Sequence, residues 1–368
     1  MNQERLIKRF MDYVQIDSET LNEGAFDDFL VSELEQLGFE VSKDDAGSKI
    51  GSNGYNIYAY KSGSIEAEPI AFSCHTDTVK PGIGIKPILE DGVIRSSGDT
   101  ILASDDKAGI AAIMETMTEL NETQEAHRPI EIIFTIAEEG GLRGAKNLEY
   151  SRIRSKKAII LDSSGSVGNI VVKAPAQDKI FATFKGKPAH AGIEPEKGIS
   201  AIQVAAAAIT KMNLLRIDEE TTANIGTLVA ESATNIVCPS AKFIGEARSL
   251  DNDKLKKQTD HMVACMKEAA AEFGTTVEVN VESMYSAFSI PADDAFLLEI
   301  RAILEALQFK VKLASTGGGS DANIFNQRGI KAINLGTGMT GAHTLEEHIT
   351  VKDLTDLCTA VKAIACQA

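Results

Sequence analysis

Gly98–Met114, GDTILASDDKAGIAAIM, decides how the rest of the chain is read. Adjacent carboxylates at Asp105 and Asp106 precede Lys107 and a small-residue run that predicts a helix over 108–120. Gly109, Ala111 and Ala112 leave one face of that helix bare enough for close packing. Acids at a helix N-terminus ordinarily cap it and complement its dipole. Capping does not account for their company. PIAFSCHTDTV reaches His75 and Asp77, and RPIEIIFTIAEEGG reaches Glu138 and Glu139. KKAIILDSSG reaches Asp162, and KAINLGTG is followed closely by GAHTLEEH with His343. These short apolar runs read as strands buried on both faces. Strands alternating with helices predict an α/β sheet, where ligands gather beyond the carboxyl ends of the strands. Four such ends bearing ligand chemistry predict a site.

Working outward, apolar positions at Leu6, Phe10 and Tyr13/Val14 predict an N-terminal helix, and a second spans about 25–37 and stops at Gly38. FEVS and YNIYAY read as strands. From Lys179 to about Ala292 the pattern changes to KIFATFKG, ISAIQVAAAAITKM, ANIGTLV, AKFIGEARS, a helix over 252–273 and TTVEVNVESM. That order, βαββαβ, is the ferredoxin-like split unit. It interrupts the first domain rather than succeeding it. The expected organisation is an α/β mixed-sheet domain from 1–178 and 293–368, with an inserted α+β domain at 179–292.

The 368 residues suffice for two domains with a large core. A net charge of −16 argues against nucleic acid or an anionic membrane as partner. No apolar run approaches the roughly 20 residues of a transmembrane helix. The N-terminus lacks a signal-peptide pattern, and the five cysteines show no CxxC spacing. The expected location is cytoplasmic.

His75, Asp105, Glu139, Asp162 and His343 make a set of imidazoles and carboxylates suited to zinc or a related divalent ion. They are too many for one tetrahedral ion but suit two ions sharing a carboxylate, and Asp105 is the natural bridge. Two ions about 3.5–4 Å apart bind a hydroxide and polarise a carbonyl. Asp77, two residues beyond His75, points the same way along a strand and is placed to accept the imidazole N–H. Glu138, beside a ligand without needing to bind metal itself, is the candidate general base. His348, in LEEH, is a rival to His343; His127 and His261 read as solvated.

HTDTV, ASDDKAG, AEEGGLRGAKNL, LDSSG, GKPAHAG and NLGTGMTGAH together resemble the dinuclear zinc peptidase and aminoacylase family, in its peptidase T-like (tripeptidase-like) branch. The resemblance spans nearly the whole chain in the same motif order. It implies that His75 and Asp162 hold one Zn2+, Glu139 and His343 the other, and Asp105 both, with Co2+ or Mn2+ as substitutes. It implies Glu138 as base, Asp77 as orienter and a cis peptide bond after Asp105. The inserted domain becomes a lid, in which His190 of KPAHAG would meet the scissile carbonyl oxygen. Asn235 of ATNIV and Arg248 of GEARS match substrate-contacting positions. Where the branch has Arg-Gly-Gly-Thr-Asp, this chain reads Gly317-Gly318-Gly319-Ser320-Asp321. The arginine is a glycine, while the backbone N–H groups of Gly318 and Gly319 remain available to a carboxylate.

The expected activity is metal-dependent hydrolysis of an amide bond in short peptides, by a metal-bridged hydroxide with Glu138 as base. Alternatives are a deacylase acting on N-acyl amino acids, a carboxypeptidase, or a non-catalytic metal-binding relative. The complete ligand set together with Glu138 weighs against the last. A homodimer through the lid is one expected assembly; a site built within a single chain is the other.

Overall fold

The structure, a computed structural model, describes residues 1–367. The chain divides into two compact units. The first comprises Met1–Val172, Ser289–Ser315 and Ser320 onward; the second comprises Lys173–Phe288 and Thr316–Gly319.

The first unit is built on a mixed sheet that runs in the order Glu40–Lys43, Ile57–Lys61, Ile130–Thr135, Ile70–His75, Lys157–Ser163, Lys331–Gly336. Ile70–His75 pairs in parallel with both Ile130–Thr135 and Lys157–Ser163, and Lys331–Gly336 is parallel to the latter. Ile57–Lys61 joins antiparallel. Every residue of Ile70–His75 and of Ile130–Thr135 is buried, as strands covered on both faces require. Because these four strands are parallel, their carboxyl ends share one edge of the sheet. The segments that follow them carry Asp77, Glu138, Glu139 and His343, and Asp162 stands at the end of Lys157–Ser163 itself.

The helix Ser104–Thr123 begins earlier than expected, and Asp105 and Asp106 at its start have non-helical dihedrals. It packs against the strand that bears His75. A Cβ on Gly109 would lie 2.6 Å from Cys74 Sγ and 2.8 Å from the Leu161 carbonyl oxygen, so only glycine permits this approach. Helices Gln3–Val14 and Val351–Ala365 pack on the same helix. A small sheet of Pro87–Glu90, Val93–Ser96 and His348–Thr350 was not legible in the sequence, because its strands are short and draw on distant segments.

In the second unit the sheet order is Leu215–Arg216, Thr221–Val229, Ser240–Ser249, Ala176–Lys185, Val277–Tyr285, all antiparallel. Helices Ala201–Lys211 and Asn252–Glu272 cover one face, where Met262 and Met266 of the second helix join Ile180, Phe184 and Phe243 of the sheet in one core. This is the βαββαβ order with one short edge strand added. The unit opens at Lys173 rather than Lys179, because strand pairing already holds Ala176 opposite Ser249. It closes at Phe288, and the segment Thr316–Gly319 belongs to it although Ser315 and Ser320 do not.

Candidate metal centre

His75 ends its strand with both ring nitrogens committed. Nδ1 lies 2.8 Å from the Asp77 carbonyl oxygen and 3.3 Å from Asp77 Oδ1. A carbonyl oxygen only accepts, so Nδ1 carries the proton and Nε2 presents its lone pair when the ring is neutral. Nε2 faces Asp105 Oδ1 at 3.1 Å. From the other side, His343 Nε2 lies 3.1 Å from Asp105 Oδ2 and 2.7 Å from Glu139 Oε1. Each oxygen of Asp105 therefore addresses a different imidazole. Donor atoms of His75, Asp105 and Glu139 lie within 4.8 Å of one another, a spacing one cation can span.

The turn bearing the two glutamates is fixed by side chains from elsewhere. Ala137 takes φ 50°, which turns the chain sharply out of the strand. Ile136 N–H donates to Asn56 Oδ1 at 3.1 Å, and Ala137 N–H to Glu23 Oε1 at 3.1 Å. Glu138 and Glu139 N–H donate to Asp77 Oδ1 and Oδ2, at 2.8 and 3.2 Å. Asp77 thus orients an imidazole and a backbone turn together. Thr20 also donates to its Oδ2, at 2.8 Å.

The segment leading to Asp105 is held comparably. Ala103 has φ 62°, and the Asp105–Asp106 peptide bond is cis, as the resemblance implied. Buried Glu347 accepts hydrogen bonds from this segment. Asp106 is engaged with backbone instead, its Oδ2 accepting from the His75 N–H at 3.2 Å. Asn334 clasps the backbone of Asp162 through the amide N–H at 3.0 Å and the carbonyl at 2.9 Å.

The electrostatics call for added positive charge. Burial pushes the Asp162 carboxyl well up, and the charges of Asp105 and Glu138 add to the effect. Glu138 is likewise pushed up by burial, with Asp321, Glu139 and Asp77 contributing, although nearby His75 opposes it. Burial lifts Asp321 to about 6 against a hydrogen bond from Thr135. Asp105 is the exception. Burial would raise it, but His343 and His75 hold it below the usual carboxylate range. Those contacts raise His343 to about 10, Asp105 first and Glu139 second. His75 rises as well: burial opposes its charge, and Asp105 and Asp77 overcome that. A pocket with more buried acids than bases, lined by oxygen and imidazole donors, fits borderline-hard divalent cations.

The structure thus brings His75, Asp105, Glu139 and His343 into contact. It sets Asp77 behind them, and it brings Asp162 and Glu138 within electrostatic reach. His190, Asn235, Arg248, Gly318 and Gly319 belong to the second unit. There, exposed His190 bridges to Ile236, and the Ala191 N–H donates to the Asn235 carbonyl at 2.9 Å. Arg248 pairs with Glu246 at 3.0 Å and donates to the Gly317 carbonyl at 3.2 Å. His348 is turned to other work, its Nδ1 on the Glu346 carbonyl at 2.8 Å. Sequence reasoning missed Asn56, Glu23 and Glu347, since a lone polar residue far along the chain carries no spacing signal. Only the placement of Glu347 four residues after His343 was a clue.

Residues 71–367 match the family described as Peptidase family M20/M25/M40. The chain is 43% identical to the Bacillus subtilis uncharacterized protein YqjE over 364 residues, covering 99% of this chain and 98% of that protein. Its fold is similar to the crystal structure of aminopeptidase PepT from Bacillus cereus, with TM-score 0.92, 43% identity and coverage of 99% and 98% of the two chains. It is also similar to a tripeptidase from Staphylococcus aureus, with TM-score 0.96, 39% identity and coverage of 100% and 98%. With the donor set and these likenesses in agreement, the chain belongs to peptidase family M20/M25/M40 and is a metallopeptidase.

Proposed function

We propose that this chain is a cytoplasmic aminopeptidase of short peptides that works with two zinc ions. The observation that carries this reading is Asp105, whose Oδ1 faces His75 and whose Oδ2 faces His343, each at 3.1 Å. In this reading His75 and Asp162 hold one ion, Glu139 and His343 the other, and Asp105 both. When bound, the ions supply an activated water and a Lewis acid for the scissile carbonyl.

The remaining chemistry falls to side chains. Glu139 is engaged with His343, and Asp77 with His75 and the glutamate turn. Glu138 is the acid left to take a proton from the attacking water and return it to the leaving amine. Burial raises its carboxyl, and positive charge held at the ligand set would draw it back toward a base. His190 donates to the developing oxyanion, while Asn235, Arg248 and the Gly318 and Gly319 N–H groups contact the substrate's polar ends. Glycine at position 317 removes the side chain the peptidase T-like pattern has there, so the carboxylate grip rests on Arg248 and the turn.

The deciding experiment is a kinetic panel of free, N-blocked and C-amidated tripeptides on the metal-loaded protein. Hydrolysis that needs a free N-terminus is the expected result. Faster cleavage of the N-blocked tripeptides than of the free ones would overturn it.

A further inference from the structure

Glu347 lies four residues beyond His343, is 1% exposed, and is absent from the ligand set. Its Oε2 accepts from the N–H groups of Leu102 and Ala103, at 2.8 and 2.9 Å. Its Oε1 accepts from the Ser104 hydroxyl at 2.6 Å and the Asp105 N–H at 3.1 Å. A carboxylate offers about four lone-pair sites. These contacts occupy them, so Glu347 keeps none for an ion, a water or a substrate. Its chemistry is spent on the backbone that presents Asp105.

That backbone needs holding. Ala103 sits at φ 62°, where a side chain is disfavoured, and Asp105 and Asp106 depart from helical geometry within the first turn of the helix. Hydrogen bonds to an ionised acceptor are roughly twice as strong as neutral ones. Glu347 itself is carried on a closed loop. Thr340 and His348 exchange N–H···O bonds, both at 3.0 Å, while Thr344 N–H reaches the Gly341 carbonyl at 3.1 Å. Glu347 N–H returns to the Thr344 carbonyl at 3.2 Å. One loop therefore brings the His343 imidazole to Asp105 Oδ2 and grips the backbone of Asp105 with its next acid but one.

We propose that Glu347 is a positioning residue that sets the separation between Asp105 and His343, so that these two ligands assemble as one piece. The proposal rests on the dinuclear reading above. It makes a specific demand on Glu347→Gln. The amide nitrogen cannot accept, and facing Leu102 and Ala103 it would meet two N–H donors. Turned the other way it meets Ser104, whose hydroxyl can rotate to accept, and the Asp105 N–H, which cannot. The variant therefore loses the bond to Asp105 itself.

The test is a Co2+ titration of the metal-free protein, followed by calorimetry and visible absorption, with thermal unfolding of the same samples. Parent protein should bind two ions. Glu347→Gln should bind them about 10–100-fold more weakly, with an altered Co2+ absorption spectrum, the size of effect seen when groups supporting a ligand are lost. Exposed Glu346→Gln should match the parent. A Glu347→Gln protein with lowered thermal stability but parental Co2+ affinity and spectrum would make Glu347 a merely structural residue and overturn the proposal. Failure of the parent to bind Co2+ would instead overturn the metal reading beneath it. Should Glu347→Gln not fold, Ser104→Ala removes one bond to the same carboxylate. A several-fold weakening supports the proposal, and unchanged affinity sinks it.

Discussion

The backbone N–H of Glu138 donates to Asp77 Oδ1 at 2.8 Å, so the acid beside the His75 imidazole also steadies the residue next to Glu139, the proposed metal ligand. Asp77→Ala removes the carboxylate 3.3 Å from His75 Nδ1, keeps the backbone carbonyl that holds this ring at 2.8 Å, and leaves the Glu138 and Glu139 N–H groups without their acceptor. Metal affinity should fall about 10–100-fold, and turnover with it. Competition with a chromophoric chelator measures the first. Parental affinity would show that the turn holds without Asp77.

Asp105 and His343 should differ in metal stoichiometry. Asp105→Ala removes an oxygen from each imidazole partner and should weaken both ions together. His343→Ala should spare the ion held by His75 and Asp162. Elemental analysis after gel filtration reads the difference directly, and undiminished metal in the Asp105 variant would refute the bridge.

Glu138→Ala should keep both ions and bind substrate close to the parent's affinity. Turnover should drop by at least the about 10²–10⁴-fold typical of losing a general acid–base group. Near-normal turnover with metal bound would remove Glu138 from the mechanism.

Metal binding should release protons near neutral pH. In the metal-free fold, Asp105 and Glu139 raise His343 from 6.5 to about 10. Its protonated form therefore stabilises the fold fully below about pH 6.5, and that contribution fades as pH rises through about 10. An incoming ion must displace this proton, so affinity falls as pH is lowered. Calorimetry at pH 7.5 in buffers of different ionisation enthalpy counts the protons. A heat independent of buffer contradicts the assignment.

His190→Ala should retain metal while losing about 10²–10³-fold in rate, the usual cost of one oxyanion donor. Mixing it with Glu138→Ala protein separates two arrangements. Regained activity means that His190 serves a second copy of the chain, as a homodimer through the inserted domain would allow. No regain assigns the histidine to its own chain.

By itself the sequence determined the buried parallel strands, the acids and histidines that follow them, and the βαββαβ order of the inserted unit. Each of these is a local signal. Runs such as IAFSCH and IEIIFT bury both faces, and HTD, SDD and AEE stand directly after or before regular elements, so short-range patterning suffices to find them. Gly109 was legible for the same reason, as a small residue in a helix that must meet a strand closely. What tertiary structure alone decided is how those side chains are aimed. The Ala137 turn depends on Asn56, Glu23 and Asp77, and the Ala103–Asp105 segment depends on Glu347, 242 residues from Asp105. The three-stranded sheet likewise joins His348–Thr350 to Val93–Ser96. Hydrogen bonds between residues so far apart leave no periodicity along the chain. They exist only once the sheet has brought its carboxyl ends to one edge and burial has made an unpaired N–H too costly to leave.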